Sequence, residues 1–387
     1  MLFRQIDRTD SEPKRATETK FAFFDRCAWA TADRVRGLLE TCLSDYPQSE
    51  HAEMISRIQS GDERQFSSAT FEVILYGYLL KLGYAVTPHP KLSNGSNKRP
   101  DFLVTCPNGE QLYVEAVCVS DNDGSDESAE RRKSLTLNAL DRASHPNFVV
   151  GVNSYGDPVS QPSGKKLAEN VIAWLDTLDP DRVLNLPTDD PSAVPVYIWC
   201  HEDWHVEIEA IPLRPAKRGH PRRLIGVQSS PGGPVDGWSP IKDAIYKKTR
   251  RYGEPDLPLI IAVNVNTSDL HPIDELQALL GEERIESVIN RPSGAYRFVR
   301  APNGAWNSKI DSRSRWCSGA WLFNNLSASG LVQATHTLYE NPWAKLPIPT
   351  EFRQVPYATF EDNRLVTTDG CSIQEAFGLN DSWPEED

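Results

Sequence analysis

Three acidic residues in the first third of the chain could bind a divalent cation. Glu72 lies in the segment FEVILYGYLLKLGY, Asp101 follows Pro100 in RPDFLV, and Glu115 interrupts the apolar run LYVEAVCV. A carboxylate among apolar residues is destabilising unless a cation or a hydrogen-bond donor pairs with it. Mg²⁺ and Mn²⁺ take convergent oxygen ligands, and such an ion can activate water for attack on a phosphodiester. The three residues therefore predict a Mg²⁺ or Mn²⁺ site with hydrolytic chemistry.

The local pattern around these acids predicts one helix and three strands. The helix is expected over 69–82, with Ser67 or Ser68 as its N-cap and Gly83 after its last residue. The strands are expected over 84–87, 101–105 and 111–120. A hairpin of the last two strands would bring two of the acids together, while the helix supplies the third.

The remaining segments predict an α/β fold. The expected elements are a helix over 127–143, a strand over 148–152, a helix over 165–178, a β-hairpin over 196–211, a basic helix over 241–251 and a buried strand over 259–265. The hairpin and the later elements are expected to extend the first sheet, which gives a mixed central sheet flanked by helices. Residues 1–60 predict a helical N-terminal extension, 61–270 the α/β core, and 271–387 an α+β C-terminal elaboration.

The segments that hold the three acids resemble the PD-(D/E)XK, or restriction-endonuclease-like, nucleases. The family pattern is a helical glutamate, Pro-Asp at a strand start and Glu-x-Lys on the next strand, and the segments quoted above match it in that order. The resemblance covers roughly residues 65–180. It implies a restriction-endonuclease-like core with Glu72, Asp101 and Glu115 as metal ligands. It also implies metal-dependent hydrolysis of nucleic acid, DNA rather than RNA, in prokaryotic defence or restriction.

The lysine of the family pattern is replaced in this chain. Val117 stands two residues after Glu115, on the same face of the expected strand, and valine cannot act on a water molecule or neutralise charge. One interpretation is that another lysine has taken over, with Lys133 in the following helix as the first choice and Lys98, shortly before Asp101, as the second. The other interpretation is a catalytically inactive nuclease fold that serves as a binding or scaffolding subunit.

A purely structural role is a further alternative for the buried acids. Glu72 and Glu115 could be ion-pair partners of arginines, with Arg99, Arg131 and Arg132 as the candidates. In that case the two carboxylates stabilise the fold and bind no metal.

Two basic segments could contact the phosphates of a nucleic acid. They contain Lys217, Arg218, Arg222 and Arg223 in RPAKRGHPRR, and Lys247, Lys248, Arg250 and Arg251 in the basic helix. Solvated loops and helix surfaces have the same composition, so both interpretations stay open. The formal net charge of −13 argues against a protein that coats nucleic acid non-specifically.

The sequence His201-Glu202-Asp203-Trp204-His205 fits the zinc-protease signature H-E-x-x-H. That chemistry requires a helix, so that both histidines and the glutamate share one face. The flanking segments VPVYIWC and VEIEAI alternate in the manner of strands, so the five residues are predicted to form a hairpin turn.

The composition predicts a soluble cytoplasmic protein. No apolar run in the sequence is long enough to span a bilayer, and residues 1–20 lack the apolar region of a signal peptide. Seven cysteines without a C-x-x-C pair predict reduced thiols, with neither disulfides nor a zinc ribbon. A homo-oligomer and a partner protein that supplies a sensor or helicase function both stay open.

Overall fold

A computed structural model describes the chain except for residues 16–17, 94–95, 121–126, 187–192, 221, 230–236, 268–269, 288–295, 307–311, 362–363 and 386–387. The chain divides into two compact units. The first comprises Met1–Glu12, Thr19–Asp123 and Val235–Asp387, and the second comprises Pro13–Glu18 and Gly124–Pro234. These bounds differ from the three predicted segments, because the second unit is inserted into the first.

The described residues form helices and strands in the following order. The α-helices are α1 (Lys20–Arg26), α2 (Ala30–Asp45), α3 (His51–Gln59), α4 (Glu63–Lys81), α5 (Glu127–Asp141), α6 (Gly164–Leu175), α7 (Pro180–Leu184), α8 (Ser239–Tyr252), α9 (Pro272–Leu280) and α10 (Ile373–Phe377). The strands are β1 (Ala85–Pro88), β2 (Phe102–Thr105), β3 (Gln111–Ser120), β4 (Phe148–Tyr155), β5 (Val196–His201), β6 (Trp204–Pro212), β7 (Ile225–Ser229), β8 (Leu259–Asn266), β9 (Glu283–Ser287), β10 (Tyr296–Arg300), β11 (Gly319–Asn324), β12 (Thr335–Glu340), β13 (Tyr357–Glu361) and β14 (Arg364–Thr368).

The first unit contains a mixed eight-stranded sheet. Its strand order is β1-β2-β3-β8-β11-β12-β13-β14. The first three strands pair antiparallel, β3 pairs parallel with β8, and β8 pairs parallel with β11. A parallel neighbour requires a crossover connection, and the chain between β3 and β8 includes Gly124–Pro234 of the second unit and helix α8. The predicted α/β class with a mixed central sheet flanked by helices is confirmed.

The two faces of this sheet carry two hydrophobic cores. Strand β8 contributes to both, because alternate side chains of a strand point to opposite faces. Ile260 and Ala262 pack in the core that includes helices α2, α3 and α4, whereas Ile261 and Val263 pack in the core that includes α8 and α9. The central strands are buried on both sides, which explains why β8 is apolar throughout most of its length.

Helix α4 is buried on all sides from Phe66 to Leu79 with few exceptions, as a helix in the middle of a core must be. It begins six residues before the predicted start, because Asp62 is its N-cap and accepts hydrogen bonds from the backbone of Arg64 and Gln65. The prediction that Ser67 or Ser68 caps the helix was therefore wrong. The helix ends as expected before Gly83, whose φ of +87° suits glycine.

The second unit contains a separate four-stranded sheet in the order β5-β6-β4-β7. Helices α5 and α6 cover one face, where Leu140 and Leu167 pack against Phe148 and Ile208. The prediction that the hairpin over 196–211 extends the first sheet was wrong, since β5 pairs with β6 and β6 pairs with β4 in the separate sheet. In the described residues, no helix is long and apolar enough to cross a membrane.

Candidate functional site

The β2–β3 hairpin brings Asp101 next to Glu115. Phe102 pairs with Val114 across the two strands, so the residue before Phe102 meets the residue after Val114. The backbone N–H of Ala116 donates to Oδ2 of Asp101 over 2.7 Å, which fixes the carboxylate against β3. The strand and turn pattern of the sequence was sufficient to predict this proximity.

Glu115 is 1% exposed and is held by three side chains of α8. The Nζ of Lys248 donates to Oε1 over 2.5 Å, the hydroxyl of Tyr252 donates to Oε2, and Nη1 of Arg251 lies 3.6 Å from Oε1. The Tyr252 hydroxyl also lies 3.1 Å from the carbonyl oxygen of Arg99. A buried carboxylate needs such partners, because the transfer of an unpaired charge from water is strongly unfavourable.

The sequence of α8 explains why Lys248 reaches this position. Ile241, Ile245, Thr249 and Tyr252 recur at helical spacing and form the buried face of the helix. Lys248 lies at the border of that face and is 20% exposed in its side chain. A lysine can pack its methylene groups against apolar neighbours while its ammonium group contacts a polar partner. From the border of the buried face, Lys248 can therefore reach Glu115.

Glu72 on α4 has its own set of partners. The Nη1 of Arg57 donates to Oε2 over 2.7 Å, and the hydroxyl of Tyr46 donates to Oε1 over 3.0 Å. The Nε2 of His89 lies 4.0 Å from Oε1. His89 has a φ of +47° and its backbone N–H donates to the carbonyl oxygen of Asp101 over 2.9 Å, so this residue links the surroundings of Glu72 and Asp101.

The three carboxylates influence one another electrostatically. Burial raises the pKa of Asp101 well above its ordinary value, and the negative charges of Glu115 and Glu72 raise it further. Burial works to lower the pKa of Arg57, but Glu72 and, to a smaller extent, Asp101 raise it, so the net shift is upward. The backbone N–H of Ala116 and the charge of Lys248 act in the opposite direction on the pKa of Asp101, but the net shift is upward.

Carboxylate oxygens are the ligands that a hard divalent cation prefers, so the three acids have the chemistry of such ligands. Hydrogen-bond donors of the protein nevertheless occupy most of the carboxylate oxygens. Five of the six carboxylate oxygens accept a hydrogen bond, and only Oδ1 of Asp101 has no donor among the described residues. Within the same part of the chain, no three His, Cys, Asp or Glu side chains are grouped so that they could hold a metal ion.

The lysine that contacts Glu115 is Lys248, which is neither of the two substitutes proposed from the sequence. Val117 lies on the same face of β3 and packs against the core that includes α8. The prediction of Lys133 is corrected: its ammonium group pairs with Glu130 at 2.9 Å and Asp157 at 2.6 Å in the second unit. Lys98 forms no ion pair within the described residues.

Glu72 and Glu115 are buried and ion-paired, as the structural alternative predicts, but their partners are not the arginines named from the sequence. Glu72 pairs with Arg57, and Glu115 pairs with Lys248 and Arg251. The three arginines that the sequence suggested, Arg99, Arg131 and Arg132, take no part in these ion pairs.

The two basic segments have different surroundings. In the second unit, Arg218 pairs with Asp181 at 2.8 Å, and Arg223 contacts Asp141 at 3.3 Å. The exposed Lys217 and Arg222 lie in the same segment, where Arg222 donates a hydrogen bond to the carbonyl oxygen of Lys217.

The basic residues of α8 are divided between two flanks of the helix. Lys247 and Arg251 lie four residues apart and therefore share the flank next to Lys248. Arg250 lies on another flank, where its guanidinium is 4.8 Å from the ring centroid of Tyr246. Only part of the predicted cluster is therefore adjacent to the site.

The H-E-x-x-H residues form the predicted hairpin turn. His201 pairs with Trp204 at the ends of β5 and β6, and Glu202 has a φ of +55° in the two-residue loop. The helical geometry that a zinc protease needs is absent from these described residues, and Glu202 instead accepts a hydrogen bond of 2.6 Å from the hydroxyl of Ser160.

Sequence reasoning missed Tyr46, Arg57, His89 and Tyr252, and it gave Lys248 a different role. The available signal was indirect, namely that Lys248 lies on the helix predicted over 241–251 and that Tyr252, four residues later, directly follows it. Comparisons with protein-family models, with curated proteins and with solved structures found no match for this chain. The chemistry of the site is therefore inferred from its own side chains.

Proposed function

We propose that this chain is a metal-dependent nuclease, built on a restriction-endonuclease-like core, that hydrolyses phosphodiester bonds in nucleic acid, preferentially DNA. The observation that carries the proposal is the 2.5 Å contact between the Lys248 ammonium group and Glu115, on the strand beside Asp101. This contact places a lysine at the acidic pair although Val117 occupies the usual lysine position of the family pattern.

The order of the elements around the site supports this proposal. Glu72 comes from a helix, Asp101 directly precedes a strand, and Glu115 lies on the next antiparallel strand. The next strand in the sheet, β8, runs parallel to β3 and follows α8 in the chain. The resemblance described above requires the same sequence of a helical glutamate, a strand-initial aspartate and a strand glutamate.

Each residue has a defined role in this proposal. Asp101 and Glu115, with Glu72 behind them, would hold Mg²⁺ or Mn²⁺. The ion would neutralise charge on the scissile phosphate and lower the pKa of a bound water. Lys248 would position the attacking water or the phosphate, while Lys247 and Arg251 would contact the nucleic-acid backbone from the same flank of α8.

The biological setting follows from the family resemblance alone. A cytoplasmic nuclease of prokaryotic defence or restriction, with or without a partner protein, is the setting that this resemblance suggests. The segment containing Lys217, Arg218, Arg222 and Arg223 remains a candidate second contact for nucleic acid, and Lys133 is no longer needed for catalysis.

A cleavage assay tests the activity. Purified protein is incubated with linear, supercoiled and single-stranded DNA and with RNA, in Mg²⁺, Mn²⁺ or EDTA. We expect metal-dependent cleavage that is lost in Asp101→Asn and Glu115→Gln, because both substitutions keep the side-chain shape and remove a charged ligand. Cleavage that both variants retain in full would show that the activity lies elsewhere.

The same assay identifies the lysine. Lys248→Met should reduce the cleavage rate by about 100-fold or more, the range for removal of a positioned acid–base group. Lys133→Met and Lys98→Met serve as matched controls, because each removes one ammonium group outside the contact with Glu115. Loss of cleavage in Lys133→Met but not in Lys248→Met would overturn the assignment.

A catalytically inactive nuclease fold that binds a partner is the second candidate. It is favoured by the donors that already occupy both oxygens of Glu72 and both oxygens of Glu115. This candidate predicts a folded protein that cleaves none of the substrates, binds no Mn²⁺, and becomes more stable when the buried charges are replaced together.

A further inference from the structure

Strand β5 (Val196–His201) forms one edge of the four-stranded sheet in the second unit. The strand contains no Lys, Arg, Asp, Glu or Pro, and its pairing with β6 is regular along its whole length. Proteins commonly prevent an edge strand from pairing with another chain by means of charges, prolines, bulges or a very short strand. Strand β5 has none of these features.

The other edge strands of the two larger sheets do carry such features. Strand β1 has four residues and ends at Pro88, and β14 begins with Arg364. The register of β7 against β4 shifts between Val150 and Gly151. Among the described edges of these two sheets, β5 is therefore the one that is open to further pairing.

Alternate residues of β5 direct their backbone groups away from the sheet. The N–H of Ala210 donates to the carbonyl oxygen of Pro195 over 3.0 Å, so these two residues form a hydrogen-bonded pair. Hydrogen-bonded and non-hydrogen-bonded pairs alternate along an antiparallel ladder. The N–H and C=O groups of Val196, Ile198 and Cys200 therefore point outward, where a further strand could bond them.

The side chains of β5 also present apolar surface. Val196 is 45% exposed and Ile198 is 59% exposed, and Cys200 next to them is exposed as well. On the other face of the strand, Tyr197 and Trp199 are only half-buried against the core of the second unit. A strand added to this edge would remove apolar surface from water on both faces, which favours its binding.

We propose that β5 pairs antiparallel with β5 of a second copy of this chain, which joins two four-stranded sheets into one. The two-fold axis passes beside Ile198, which lies opposite its own counterpart. Val196 then lies opposite Cys200 of the second copy, and Tyr197 lies opposite Trp199. All outward N–H and C=O groups of the two strands meet in this register, and apolar and aromatic cross-strand pairs stabilise it.

The distribution of charge is compatible with a second copy as the partner. The nearest acids on the open face are Glu207 and Glu209 of β6, which pair with Ile198 and Val196. In the proposed dimer, both copies of β5 lie between the glutamates of one chain and those of the other. Three strand spacings separate them by roughly 14 Å. This separation exceeds the Debye length of about 8 Å at physiological ionic strength, so their repulsion is largely screened.

Sedimentation velocity and light scattering of the full chain test the proposal. We expect a particle of twice the 43.4 kDa of one chain. Ile198→Lys and Ile198→Glu each place two like charges at the two-fold axis, which should raise the dissociation constant by about 100-fold or more. An equal mixture of the two variants should form a dimer again, because Lys then lies opposite Glu.

Val159→Lys is the matched control. It introduces the same charge at an aliphatic residue that is 77% exposed, in the loop between β4 and α6 of the same unit. This variant should remain a dimer. Hydrogen exchange of the wild type at increasing concentration needs no variant, and the amides of Val196, Ile198 and Cys200 should exchange more slowly as the dimer forms.

Three results would overturn the proposal. A wild-type chain that is monomeric at every concentration would leave β5 available to an extended segment of another protein. A dimer that persists in Ile198→Lys and in Ile198→Glu would have its interface elsewhere. Folded variants that stay monomeric when mixed would show that Ile198 does not lie at the axis. None of these measurements depends on cleavage, so the result is independent of the proposed nuclease activity.

Discussion

The contact between Lys248 and Glu115 allows the effect of a substitution on the free energy of unfolding to be predicted separately from its effect on cleavage. Lys248→Met removes the ammonium group and keeps a side chain of similar length, so Glu115 loses its shortest ion pair inside the protein. Glu115→Gln neutralises the other partner and still accepts the hydrogen bond of Tyr252. The two variants and their combination form a double-mutant cycle.

The size of the effect follows from the burial of Glu115. Removal of one partner from a buried ion pair destabilises a protein by about 3 to 5 kcal/mol, because the remaining charge is left without compensation. Arg251 at 3.6 Å and the Tyr252 hydroxyl still face Glu115, which places Lys248→Met at the lower end. We expect a loss of about 3 kcal/mol, or roughly 6 to 12 °C in the unfolding midpoint of a unit of this size.

The assay is thermal and chemical unfolding in EDTA and in Mg²⁺. In EDTA the double variant should recover to within about 1 kcal/mol of the wild type, since no charge is left unpaired. In Mg²⁺ the midpoint of Lys248→Met should rise more than that of the wild type, because the metal replaces the ammonium group beside Glu115. Cleavage should be lost in Glu115→Gln and in the double variant, and reduced by about 100-fold or more in Lys248→Met.

Two results would refute this reasoning. A loss of less than about 1 kcal/mol in Lys248→Met would mean that the ammonium group does not compensate a buried charge, since pairs of that size are typical of exposed sites. Full cleavage activity in the stable double variant would show that the pair is only structural.

Three further predictions concern other parts of the molecule. Asp101→Asn should raise the unfolding midpoint of the metal-free protein at neutral pH. Burial and the two glutamates raise the pKa of Asp101, so its charged form is unfavourable in the folded protein. An unchanged or lower midpoint would contradict this prediction. Burial lowers the pKa of His336 from 6.5 to about 4. As the pH falls, the unfolded chain therefore binds a proton at a higher pH than the folded chain does. The free energy of unfolding should fall by about 3 kcal/mol between pH 6.5 and pH 4. Urea unfolding of His336→Gln should show a smaller decline by that amount, and an equal decline would refute the assignment. Gly156 and Gly219 have almost equal φ values of +78° and +79°, but a Cβ at Gly156 would lie 1.9 Å from the carbonyl oxygen of Asp203, whereas nothing lies within 4 Å at Gly219. Gly219→Ala should therefore cost about 1 to 2 kcal/mol and Gly156→Ala substantially more, which hydrogen exchange of the second unit would measure; equal effects would contradict the close contact.

Local sequence patterns predicted the part of the site that lies within one hairpin. The strand over 111–120 has the predicted bounds, and Asp101 lies beside Glu115 because the connection between their strands is short. The hairpin at His201 was predicted for the same reason, since alternation and a two-residue turn are properties of neighbouring residues.

The partners of the acids could not be predicted, because they depend on contacts between distant segments. Arg57 and Tyr46 belong to residues interpreted as an extension, yet Leu39 and Met54 from that region pack in the same core as α4. Lys248 follows Glu115 only after Gly124–Pro234, which is most of the second unit. No periodicity relates positions so far apart, whereas Lys133, the substitute preferred from the sequence, lies on the helix that directly follows β3.

The insertion of the second unit also has a consequence for the order of events during synthesis. Strand β3, which contains Glu115, leaves the ribosome before its parallel neighbour β8, which begins at Leu259. Lys248, the cation that pairs with Glu115, is also synthesised later. At about 5 to 20 residues per second, translation of the intervening chain takes roughly 7 to 27 s. During this interval the sheet lacks β8, and burial of Glu115 without its cation is unfavourable. We therefore expect a protease to cut a nascent chain that stops at residue 240 within residues 60–120. The full chain should resist cleavage in the same region. Glu115 therefore has no Lys248 to pair with until residue 248 has been synthesised. A chain that ends before this residue cannot form the ion pair.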